Sequence, residues 1–227
     1  MSFSVVQSFA TSGDGFTGTS VNLSVTGLTA GNLLVAWVKG EGGASNPTNL
    51  AISDGTSSFT CRSLNARGTA SPWGYFGYLL SANGGNKTIT ASWTTSQSFC
   101  RIRIAEISYA AGSLPFFDTD NVTANNNTAN LATGQITTSA SVNTIVLAGS
   151  GEFAALSLSN LLIGGVSRDG TISGSGNDAH CALWWKSFSS QQTNITGSAT
   201  SAAGDWVASI IAFKEIPQGI AVPWIRV

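Results

Sequence analysis

Charge is what this chain has least of. Asp, Glu, Lys and Arg make up only 9% of its 227 residues, against roughly 25% in an average soluble domain. With a formal net charge of -1 it has no electrostatic reason to hold nucleic acid or an anionic membrane surface, and neither is expected as a partner. Histidine is reduced to His180, followed directly by Cys181. Neighbours on a strand point to opposite faces, so this pair cannot share a zinc ion, and no metal or other cofactor is expected. The longest apolar runs span about seven residues, where a helix crossing a bilayer needs roughly 20. From Met1 to Phe9 there is neither a basic stretch nor an apolar core, so no cleavable signal peptide is expected. Cys61, Cys100 and Cys181 are odd in number and sit in strand-like runs. They read as reduced, buried small hydrophobes; the rival reading is a Cys61–Cys100 disulfide in an oxidising compartment.

Helical periodicity is also missing. Short runs of Val, Ile, Thr, Phe and Trp recur between Gly, Asn, Asp and Ser clusters, the pattern of strands joined by tight turns. Strands are expected at Phe3–Ala10, Ser20–Thr26, Asn32–Lys39, Leu50–Ser53, Ser58–Leu64, Gly74–Ser81, Lys87–Trp93 and Phe99–Ser108. The second half adds Thr119–Ala124, Gly134–Thr138, Asn143–Ser150, Leu161–Arg168, His180–Phe188, Asn194–Thr200 and Asp205–Glu215. Asp14-Gly15, Asp54-Gly55, Asn83-Gly84-Gly85 and Asp169-Gly170 supply turns.

Asn32 opens Asn-Leu-Leu-Val-Ala-Trp-Val, and 111 residues later Asn143 opens Asn-Thr-Ile-Val-Leu-Ala. Gly40-Glu41 is echoed by Gly151-Glu152, Thr88-Ile89-Thr90 by Asn194-Ile195-Thr196, and Glu106-Ile107 by Glu215-Ile216. The expectation is a pseudo-repeat of halves at about 1–112 and 113–215, paired into a single β-sandwich domain over residues 1–215. In a sandwich wetted on its outside, strands alternate apolar and polar residues. Leu33, Val35 and Trp37 instead oppose Leu34, Ala36 and Val38, and Trp206, Ala208 and Ile210 oppose Val207, Ile211 and Phe213. Two apolar faces need two covers, either long loops of the same chain or another copy of the protein.

Three stretches carry a family resemblance: Ala30-Gly31-Asn32-Leu33-Leu34-Val35, Ile52 to Thr60 with Asp54-Gly55 at its turn, and Arg101 to Ser108 with Glu106 near its end. Together with Trp206 to Phe213, they resemble a family of jelly-roll-like β-sandwich domains found in bacterial surface or secreted proteins and in phage structural proteins. The resemblance covers roughly Val5 to Ile216. It implies an all-β, two-sheet antiparallel fold and no agreed catalytic residues. Ile107 stands where the family pattern has tyrosine, and Ile216 to Val227 lies beyond it as an apolar C-terminal arm.

Groups that might carry chemistry are few. Asp178 and His180 allow a formal Ser-His-Asp arrangement, but no Gly-x-Ser-x-Gly elbow accompanies them. Asp118 and Asp120 offer two carboxylates where calcium takes six to eight oxygens. Glu41, Glu106, Glu152, Asp118 and Asp205 are the candidates for a glycosidase pair, but Glu106 shares strand parity with Ile102 and Ile104 and so points inward, bonded to Arg62 or to backbone N–H groups. Trp37, Trp93 and Trp206 read as core. Trp73 and Tyr75 form a candidate platform for stacking on a sugar or a partner, and Trp184 and Trp185 are further candidates for such a contact, one of them core and the other exposed or covered by a loop or partner. In the arm, Val222, Pro223, Trp224 and Ile225 are candidate inter-subunit anchors. These features together point away from an enzyme. They suggest a structural or assembly protein, in its most specific form a phage head decoration, head-fibre or tail component, partnered by its own copies or other virion proteins. The alternative is an extracellular or cell-surface carbohydrate-binding or adhesion module.

Overall fold

A computed structural model of the protein describes residues 3–11, 16–68, 72–140, 142–153, 158–173, 181–202 and 204–218. Among them there is no helix, and every strand pairing is antiparallel. The first half carries β1 (Ser4–Ala10), β2 (Phe16–Leu28), β3 (Leu33–Glu41), β4 (Ala51–Ser53), β5 (Thr60–Cys61), β6 (Asn65–Ala66), β7 (Trp73–Leu79) and β8 (Gly85–Ser108). The second carries β9 (Ser113–Asn127), β10 (Asn130–Ala132), β11 (Thr144–Glu152), β12 (Ser159–Ile163), β13 (Val166–Ser167), β14 (Gly170–Ser173), β15 (Cys181–Phe188), β16 (Gly197–Thr200) and β17 (Asp205–Pro217).

The 24-residue β8 joins two of the expected strands into one. Its first part pairs with β2 and β4, its second with β1 and β3, so one strand serves both layers of the first half. Ser58–Leu64 shrinks to the two residues of β5, and Gly134–Thr138 makes only the bridge from Ile136 to Ile195.

Strand order repeats between the halves. The inner sheet of the first runs β1-β8-β3-β7-β5 and that of the second β9-β17-β11-β15-β14. Outer layers repeat too, with β8 between β2 and β4, and β16 between β10 and β12. Each half is therefore its own two-layer sandwich, and the inner sheets lie face to face. The stacking is reciprocal: β3 lies on β11, β7 on β17 and β15 on β8, as a pseudo-two-fold axis along the strands requires.

This arrangement answers the question of the second cover. Leu33, Val35 and Trp37 enter a central core with Ile145, Leu147, Val207, Ile211 and Phe213. Leu34, Ala36 and Val38 face the outer core of the first half, and Val146, Ala148, Ile210 and Ala212 that of the second. Neither loops nor another copy is needed, because each half covers the other. The all-β antiparallel sandwich is as expected, and its sheets enclose three cores.

Topology repeats, but the residue-by-residue echo does not. An offset of 111 matches Leu34 with Ile145, which face different cores. Across the interface Trp37 lies over Gly149, and Lys39 over Gly151, in steps of 112. A Cβ on Gly149 or on Gly74 would come within 2.4 Å of the Trp37 ring, so the two glycines form the slot that holds it. The indole Nε1–H donates to Ser150 O at 2.9 Å. Trp37→Ala should lower unfolding free energy by about 3–5 kcal/mol, read by denaturant titration. A loss under about 1 kcal/mol would contradict this account of the interface.

Candidate functional site

Trp73 and Tyr75 are wholly buried, which corrects the expectation of a surface platform. β7 is an inner-sheet strand covered on both faces, so both rings pack in the first half's outer core. Trp73 meets Trp93 edge-on at 5.2 Å and donates to Gln97 Oε1 at 2.9 Å. Trp184 is buried in the opposite half and donates to Leu162 O at 3.1 Å. Trp185 points to the other side, into the central core, and stays 9% exposed. Trp37, Trp73, Trp93, Trp184 and Trp206 all donate their Nε1–H. Trp185 makes no such bond among the described residues.

The exposed part of Trp185 opens into a cleft of about 400 Å³, lined also by Phe3, Ser4, Val5, Asp169 and Ser187. β1 supplies one wall, and the hairpin of β14 and β15 supplies the other. Asp169, read from the sequence only as a turn residue, organises that hairpin. Its carboxylate accepts from Lys186 Nζ at 2.6 Å and from Ser187 N at 2.7 Å, while its own N–H donates to Trp185 O at 2.8 Å. Gly170 lies against the indole, where a Cβ would fall 2.3 Å from the ring, so glycine leaves the room that Trp185 occupies.

The carboxylates named in the sequence serve the fold. Glu106 is fully buried and accepts from Asn32 Nδ2 at 2.6 Å, Thr29 N at 2.8 Å and Gln7 Nε2. Arg62 is not its partner; it forks onto Asp120 at 2.7 and 3.0 Å. Glu215 repeats the arrangement, accepting from Asn143 Nδ2 at 3.2 Å and Ala110 N at 2.8 Å. In both halves an Asn that leads into a central strand is tied to a Glu near the end of its neighbour. Asp118 is held by Ser139 and Lys214, and Asp205 by Arg67. Asp118 and Asp120 therefore have separate partners and do not converge on a cation. Among the described residues no group of three or more His, Cys, Asp or Glu could hold a metal ion. The three cysteines are not joined in disulfides, and burial pushes the thiol pKa of Cys100 up to about 12. Asp178, His180 and the arm residues Val222, Pro223, Trp224 and Ile225 lie outside the described residues.

Where β3 and β11 end, a buried polar cluster joins the halves. Lys39 Nζ pairs with Glu41 and donates to Glu152 O at 3.1 Å, with Arg101 also buried. Burial depresses the Lys39 pKa, against the pull of Glu41, and raises that of Glu41. It pushes Glu152 up to about 8, with Lys39 opposing. The sequence echo picked out Glu41 and Glu152 but not Lys39 between them. Buried in this way, neither carboxylate flanks an open cleft as a glycosidase pair would.

No family model matches the chain, and no curated protein matches it. Among solved structures, a conserved protein of unknown function from Pseudomonas aeruginosa PAO1 is similar at 14% identity and TM-score 0.30, covering 86% of this chain and 75% of that one. The ANX2 ectodomain from Arabidopsis thaliana matches at 8% identity and TM-score 0.24, over 87% and 82%. The mavirus major capsid protein matches at 7% identity and TM-score 0.21, over 95% and 87%. Likenesses of this size carry no argument about what the chain does.

Two outcomes follow from the buried carboxylates. Glu106→Ala leaves three donors without their acceptor and should cost about 3 kcal/mol; a melting temperature equal to that of the wild type would contradict the role given to Glu106. Glu152 keeps its proton in the fold up to about pH 8, whereas the unfolded chain releases it near 4.5. The folded state then holds the extra proton, so this group's contribution is fully present below pH 4.5 and is lost as pH rises towards 8. Glu152→Gln should flatten the fall in stability between those limits, measured by denaturant titration across pH. An unchanged slope would show that Glu152 does not set it.

Proposed function

We propose that the protein is a non-enzymatic structural or assembly protein that works through its outer surface, in its most specific form a phage virion component such as a head decoration, head-fibre or tail protein. The supporting observation is Phe99. It is 50% exposed and holds φ at 52°, a left-handed conformation costing an aromatic residue about 1–2 kcal/mol. Phe16, 45% exposed, lies on the paired strand one step out of register. A solvent-facing aromatic held in a strained conformation, with a second exposed ring on the neighbouring strand, suits a contact surface. The two-faced strands no longer support this reading, since the other half covers them. The paired or buried carboxylates support it from the side of chemistry.

Size-exclusion chromatography with light scattering tests the proposal. Association should rise with concentration and be lost in a Phe16→Ser/Phe99→Ser double variant, with truncation after Gln218 probing the arm. A monomer at every accessible concentration would overturn it. A second reading, an extracellular carbohydrate-binding or adhesion module, is favoured by the cleft beside Trp185.

A further inference from the structure

We propose that the cleft between β1 and the β14–β15 hairpin binds a neutral pyranose ring, with Asp169, Ser187 and the Trp185 Nε1–H as its polar contacts. This rests on the second reading above and gives it a site and a ligand class.

The pseudo-two-fold axis gives the seam between the halves two equivalent rims. At one, β9 meets β6; at the other, β1 meets β14. The first rim is closed. Arg62, just after β5, forks onto Asp120 of β9 and lies 4.4 Å over the Phe117 ring, which stacks on Tyr78 at 5.7 Å. At the second rim Ser187 Oγ donates across the gap to Phe3 O over a long 3.4 Å. The space that a cation and an aromatic ring fill on one side is thus an open cleft on the other.

The lining of that cleft decides what fits. Asp169 brings acceptor oxygens with lone pairs beyond those used by Lys186 and Ser187, suited to a pair of neighbouring hydroxyls. Trp185 brings a fixed donor, and Ser4 and Ser187 bring hydroxyls that can donate or accept. Val5 and Phe3 add a small apolar surface for the C–H face of a ring. The Asp169 charge is offset by Lys186, so a neutral ligand meets no net field. An anion would face the carboxylate, and a cation would have to displace Lys186. A volume of about 400 Å³ lies within the range of small-molecule sites.

The test is NMR titration of the labelled full chain with methyl β-D-glucopyranoside, methyl β-D-galactopyranoside, methyl α-D-mannopyranoside and, as an anionic control, glucuronate. At least one neutral glycoside should move the Trp185 indole and Ser187 amide signals with a Kd of roughly 1 mM or tighter, while glucuronate binds more weakly. Trp185→Phe keeps the ring in the core but removes the donor, and should weaken binding at least tenfold. Ser4→Leu narrows the opposite wall without touching the core and should abolish it. No shift with any neutral glycoside would overturn the proposal, as would binding that survives both substitutions. Either result leaves the assembly reading to its own test, because the titration is read at the cleft and not from the oligomeric state.

Discussion

Everything in this fold depends on two apolar sheet faces meeting at close range, and Trp37 sets that range. Its indole lies over Gly149 of the opposite sheet and beside Gly74 of its own, with its N–H satisfied by Ser150 O. Glycine at both places is a steric requirement, since a methyl group would overlap the ring. The contact aligns β3 with β11 in steps that place Leu33 and Val35 in the same core as Ile145 and Leu147. From that alignment follow the four layers, the buried polar cluster at one end and the open rim at one side.

The elements were largely legible in the sequence, and their arrangement was not. All-β character, most strands and the order of the repeat follow from local patterns of apolar residues and turn residues. A strand apolar on both faces, however, carries no information on which face is inward. Asn32 to Val38 and Asn143 to Ala148 therefore look alike at an offset whose parity the structure does not keep. The same lack of contrast hid the fate of Trp73 and Tyr75, which look like a surface pair only if β7 is taken to have a wet face. Glu106 was recognisable because an acidic residue on an apolar face must find donors. Gln7, Thr29 and Asn32 reach it from segments up to 99 residues away, a convergence that no local pattern encodes.

Polar groups at the seam give it what apolar area alone cannot. A flat apolar contact could slide by a residue pair at little cost. Lys39, Glu41, Arg101 and Glu152 oppose such a slide, because displacing any of them leaves a buried charge or dipole uncompensated. Their burial carries a desolvation cost, visible in the raised pKa of Glu152 and the lowered one of Lys39. The cluster specifies alignment rather than adding net stability, and it sits at the ends of the two strands that the Trp37 contact aligns.

The cleft beside Trp185 is where the two halves stop being symmetric. Two stacked, related sandwiches have two equivalent rims, and packing alone favours closing both. Arg62, Asp120 and Phe117 close one with an ion pair and a stacked ring. On the other, Gly170 leaves room for the indole of Trp185, Asp169 binds Lys186 and the Ser187 N–H, and a cleft remains between β1 and the hairpin. Trp185 is also set apart by its N–H, since the other described tryptophans each donate theirs within the protein. A rim left open with a donor and an acceptor in place, opposite one that is sealed, is the asymmetry a binding function would preserve.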